Sequence, residues 1–127
     1  MGRIDDDSGQ LERVEACEDG GVTTLGHCEV RITCGTREEA DTIADALVEA
    51  HLVACAHLVP ISSVYEWKHV IEHDDEVLIT AATRVDRFDT IVETVRSLHS
   101  YELPAVTAVA LDGSRDYLAW IDEQTRR

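Results

Sequence analysis

The sequence predicts an α+β domain whose four-stranded antiparallel sheet carries its main helices on one face. Three observations predict it. Four stretches have the composition or alternation of strands; two intervening stretches repeat their apolar residues at helical spacing; and the order is β-α-β-β-α-β followed by a final α. The first strand starts at Cys28, where Val30, Ile32 and Cys34 alternate with Arg31 and Thr33. Thr36 followed by Glu39 is a capping-box pattern, and Ala40, Ile43, Ala44 and Leu47 then give one apolar stripe that ends near His51. Residues 52–59 (LVACAHLV) are almost continuously apolar, which at this length favours a buried second strand. That strand continues past Pro60, with Ser63, Tyr65 and Trp67 on one face and Val64, Glu66 and Lys68 on the other.

Residues 72–75 (EHDD) form the expected polar turn, and residues 76–82 return as the third strand, so strands two and three make a long central hairpin. Thr83 with Asp86 starts the next helix, whose stripe is Phe88, Ile91, Val92, Val95 and Leu98; Pro104 closes the segment. Residues 105–111 (AVTAVAL) are the fourth strand. Asp112 and Gly113 make a turn, and residues 114–124 form a last helix that buries Leu118 and Ile121. The order is that of the split β-α-β, ferredoxin-like fold.

With 127 residues, the chain suits one domain with an ordinary core that needs no disulfide or metal staple. Residues 1–27 are rich in Asp, Glu and Gly without sustained periodicity and are expected to be a flexible acidic tail; the domain is expected over residues 28–127. A formal charge of −15 disfavours nucleic-acid and anionic-membrane partners. The four cysteines show no C-x-x-C spacing, and the N-terminus has no signal-peptide pattern, so a cytoplasmic location with reduced thiols is expected.

Four ordered motifs carry a family likeness: residues 52–57 (LVACAH), residues 63–67 (SVYEW), residues 98–104 (LHSYELP) and residues 117–121 (YLAWI). Together they resemble the CutA divalent-cation tolerance family across residues 29–124. The resemblance implies a cytoplasmic homotrimer of ferredoxin-like subunits, PII-like in architecture, active in the response to metal ions and binding copper or other divalent cations. It implies no enzyme reaction. By matching positions it makes His99 a candidate metal ligand and places Ser63, Tyr65, Trp67, Tyr101 and Pro104 in pocket or interface positions.

The chain also departs from the family pattern. His57 replaces an asparagine, His69 and Val70 follow Trp67 and Lys68 where the family has glycine and lysine, and residues 81–83 (AAT) lack a lysine that would bring positive charge near the pocket. His57 is therefore a candidate second metal ligand, against a reading as a buried core histidine. The cysteine that some members carry on the first strand falls on Ile32, so Cys34 inherits no ligand role. Histidines and cysteines suit copper and zinc, but no local pair has ligand spacing, so a site must be assembled from distant segments or across subunits. Each candidate has a plainer reading: His99 as a helix-end cap, Cys55 as a core residue, His69 and His73 as part of a solvated turn.

The far end of the hairpin carries Val64, Tyr65, Trp67, Val70 and Ile71, more apolar surface than one subunit of this size can cover, which favours association. A second functional reading is a PII-like sensor that binds a small metabolite in inter-subunit clefts lined by Tyr65, Trp67 and Tyr101. The absence of a Gly-rich phosphate loop counts against a nucleotide there.

Overall fold

The computed structural model describes residues 26–126. The elements are β1 (His27–Cys34), α1 (Arg37–Glu49), β2 (Cys55–Trp67), β3 (Val70–Arg84), α2 (Phe88–Leu98), β4 (Val106–Ala110) and α3 (Arg115–Gln124), with a 3₁₀ turn, Val85–Arg87, leading into α2. The sheet is antiparallel in the order β2-β3-β1-β4, the order expected of the split β-α-β arrangement. The expected tail lies outside the described residues except for Gly26 and His27. His27 is the first residue of β1, and its carbonyl accepts the Leu111 amide at 3.0 Å.

The core lies between one face of the sheet and the first two helices. Cys28, Val30, Ile32 and Cys34 of β1 are buried there with Ile79 and Ala81 of β3, against Ala40, Ile43, Ala44 and Leu47 of α1 and Phe88, Ile91 and Val95 of α2. The stripes expected from helical spacing are therefore the packed faces, though Leu98 ends α2 40% exposed. Thr36 caps α1 as expected, its hydroxyl accepting the Glu39 amide at 3.1 Å. Ser114 does the same for α3, accepting from the Tyr117 amide at 3.2 Å.

The last helix reaches the opposite face of the sheet. Its partners there are His27 (to Asp122, 2.8 Å) and Cys55 (to Tyr117, 3.2 Å); both stand opposite β3 residues, Arg84 and Ala82, whose parity differs from the core-facing Ile79 and Ala81. The helix end is fastened by two guanidiniums: Arg84 Nη2 and Arg87 Nη2 each donate to the Thr125 carbonyl at 2.6 Å. Ile121 is buried and Leu118 only half-buried.

Several expectations are corrected. β2 is an edge strand rather than a buried one: Leu52, Val53 and Ala54 are buried but precede it, and Val59 is 43% exposed. Being on an edge, with one neighbour, the strand leaves His57 exposed opposite Thr80, so His57 is not a buried histidine. Cys55 is half-buried and bonded to Tyr117 rather than packed in the core. Thr83 does not start a helix; it is a buried residue of β3 whose hydroxyl donates to the Leu52 carbonyl at 2.6 Å, and α2 begins at Phe88 without a side-chain cap.

The hairpin turn is also displaced. It is made by Lys68 and His69, with φ of 52° and 72°, the left-handed pair that a two-residue hairpin loop of matching twist requires. Residues 72–75 lie inside β3, so His73 stands opposite Val64 in mid-strand. The consequence is length. Only residues 77–84 of β3 pair with β1, while residues 70–76 pair with β2 alone, so the hairpin projects about 23 Å beyond the sheet at a rise of about 3.3 Å per residue.

Candidate functional site

Two features meet where the projecting hairpin leaves the sheet, and the loop of residues 99–104 joins them. The first is a cluster of ligand-type side chains. β1 ends at Cys34, α1 presents Glu39 from its first turn, and α2 ends just before His99; Sγ of Cys34, a carboxylate oxygen of Glu39 and a ring nitrogen of His99 lie within 4.8 Å of one another. The His99 ring is fully buried and bonded through both nitrogens: the Tyr101 amide donates to Nδ1 at 3.0 Å, so Nε2 carries the proton and donates to the Thr33 carbonyl at 2.7 Å. The ring is thus a neutral imidazole of fixed tautomer, with Nδ1 3.9 Å from Glu39 Oε2.

Glu39 has a second task beyond the helix cap. Its carboxylate accepts the Ser100 amide at 2.6 Å and the Gly35 amide at 3.3 Å, tying the loop to the start of α1. Burial pushes its pKa up, but the hydrogen bonds from Ser100 and Gly35 outweigh burial and hold the carboxyl below its ordinary value. Cys34 is the opposite case. Burial first, then the charges of Glu39 and Glu76, push its thiol up to about 12, so it is protonated at neutral pH.

The second feature is an open cleft of about 410 Å³ between the root of the arm and the loop. Tyr65, Trp67 and Glu76 line it from the hairpin; residues 100–103 line it from the other side. Tyr101 crosses the cleft to donate to Glu76 Oε2 at 2.5 Å, packing so closely that a Cβ on Gly35 would sit 3.0 Å from its hydroxyl. Tyr65 donates to Asp74 Oδ2 at 2.5 Å. The phenol of Tyr65 is raised to about 12, first by that hydrogen bond; that of Tyr101 is raised further, first by burial and then by its bond to Glu76. Glu76 is 3% exposed, and its Oε1 has no hydrogen-bond partner among the described residues.

The sequence-derived candidates divide accordingly. Tyr65, Trp67 and Tyr101 line the cleft, and His99 lies buried behind it beside Tyr101, with ring centroids 4.7 Å apart. Ser63 stands opposite Asp74 on the same hairpin face, and Pro104 ends the loop; both are half-buried, and neither lines the cleft. Among the described residues, the ligand-type cluster does not include His57. Cys34, Glu39 and Glu76 were not anticipated, and Cys34 joins the cluster despite matching no family ligand position. No local spacing announces them, because β1, α1, β3 and the loop bring residues 34, 39, 76 and 99–103 together only in the fold.

Known proteins are similar to this chain in sequence and in fold. The chain is 40% identical over 98 residues to the divalent-cation tolerance protein CutA of Thermus thermophilus, covering 76% of this chain and 95% of that one. It is 42% identical over 96 residues to protein CutA of Mus musculus, covering 74% of this chain and 54% of that protein, so the chain spans about half the length of that mammalian relative. Its fold superposes with a TM-score of 0.77 and 35% identity on the periplasmic divalent cation tolerance protein CutA from Archaeoglobus fulgidus, covering 78% of this chain and 98% of that structure. The model of the CutA1 divalent ion tolerance protein family matches residues 28–124, from the first core strand to the end of the last helix, and the chain belongs to that family.

Proposed function

We propose that the chain acts as a homotrimeric, cytoplasmic divalent-ion response protein that binds Cu(II) or a similar ion at Cys34, Glu39 and His99. The observation that carries this reading is the convergence of a thiol, a carboxylate held ionised and an imidazole of fixed tautomer within 4.8 Å. The donor set fits a borderline or soft divalent metal, and a ligand histidine is usually oriented by a hydrogen bond from its other nitrogen, the role Thr33 plays for Nε2. Nδ1 would bind in exchange for the Tyr101 amide, and the ion's charge would favour the Cys34 thiolate over the thiol. The tolerance role follows the names of the relatives, which describe no catalysis, and we assign none.

Association is supported by the projecting hairpin, on which Val64, Val70 and Ile71 are 66%, 54% and 59% exposed in the single chain. No helix of the described residues is long and apolar enough to cross a membrane. Calorimetry with Cu(II) on wild type, Cys34→Ser and His99→Ala tests the site. Loss of roughly tenfold or more in affinity in each variant is expected; equal binding by all three would place the ion elsewhere and remove the reading. The cleft beside the cluster supports the second, PII-like reading, in which a small molecule rather than an ion is the signal.

A further inference from the structure

We infer that the cleft binds a small organic cation bearing N–H donors, a protonated primary amine or a guanidinium, with Glu76 as its anchor. The inference deepens the small-molecule reading and rests on it. The anchor is the strongest observation. A buried carboxylate oxygen without a partner is costly, and Glu76 Oε1 is such an atom in a residue that lines an open cleft, while its twin oxygen is held by Tyr101. An N–H donor of positive charge satisfies that oxygen and its charge together.

The walls agree with the anchor. Trp67, Tyr65 and Tyr101 supply aromatic surface, which attracts cations to its faces, and Glu102 adds a second carboxylate at the rim. The chain itself shows the preference: the Lys68 ammonium stands 5.6 Å from the Trp67 ring centroid and 3.6 Å from Glu102 Oε1, so two cleft residues already hold an alkylammonium at the mouth. Lys68 is bound to neither oxygen of Glu76. A net charge of −15 raises the local concentration of any cation and disfavours the anionic metabolites that a phosphate-binding cleft would take.

Tetramethylammonium separates the two contributions, since it offers charge and cation–π attraction but no N–H. The experiment is calorimetric titration of the full chain, with EDTA present to exclude metals, by putrescine, agmatine and tetramethylammonium, alongside a thermal-shift panel that includes citrate and ATP. The two N–H cations should bind and tetramethylammonium should bind more weakly. Glu76→Gln, which keeps an acceptor for Tyr101, should weaken putrescine and agmatine by roughly tenfold or more. Glu102→Gln, an exposed and structurally safe change, should weaken them a few-fold. Unchanged affinity in both variants overturns the assignment. Stabilisation by citrate or ATP but not by the amines overturns the cation class and leaves a ligand cleft standing; silence from every compound overturns the cleft reading as well.

Discussion

Tyr101→Phe removes one oxygen and tests the join between loop and hairpin. That oxygen is the partner of Glu76 Oε2 at 2.5 Å, and the other oxygen of the same 3%-exposed residue has none among the described residues. Deleting the donor leaves the carboxylate with neither oxygen bonded, a loss of about 1.5–3 kcal/mol for a hydrogen bond to a charged group. For a domain of about 100 residues each kcal/mol moves the melting temperature by roughly 4–8 °C, so calorimetry at pH 7 should find the variant on the order of 6–24 °C less stable. Gly35→Ala approaches the same hydroxyl at 3.0 Å, so it should cost less in the Tyr101→Phe background than in wild type.

The pH dependence has a definite sign. The folded-state pKa of Tyr101 is raised above the unfolded value, near 10, so its contribution is complete below about pH 10 and is lost as pH rises toward the folded value. The gap between wild type and Tyr101→Phe should therefore narrow above pH 10. A shift below about 2 °C at pH 7 in a correctly folded variant, or an equal cost of Gly35→Ala in both backgrounds, would refute the reasoning.

Two further predictions concern the hairpin. Native mass spectrometry should give about three times the 14.1 kDa chain mass, and Trp67→Glu, which puts a charge on the arm's half-buried aromatic, should lower it; a monomeric wild type removes the trimer. His69→Gly should stabilise the protein by roughly 0.5–1 kcal/mol, since His69 sits at φ 72° where only glycine is free of strain, and a destabilised variant in thermal melts would contradict the turn geometry.

Much of the fold was legible because its signals are local. The capping pair of Thr36 and Glu39 and the stripe of Ala40, Ile43, Ala44 and Leu47 each depend on residues a few positions apart, and each proved structural. The hairpin turn was misplaced for a physical reason. Residues 72–75 are polar because they belong to a ribbon standing in solvent, with Asp74 turned to Tyr65, whereas the true turn uses Lys68 and His69 without the glycine or asparagine that usually marks positive φ. Helix start was misread at Thr83 because a hydroxyl that caps in sequence can equally satisfy a buried carbonyl in a strand.

The site was legible only in part. His99, Tyr65, Trp67 and Tyr101 came from ordered family motifs, but Glu39 was hidden by its capping role and Glu76 by its place beside an expected turn. Their work depends on contacts across 25 to 61 residues, which no short window of sequence displays.

The double guanidinium grip on Thr125 fastens the end of α3 to the junction between β3 and α2. It makes the turn after that helix a clasp across the sheet. Loss of Thr125 would strip two arginines of their shared acceptor and release the end of α3 from that junction.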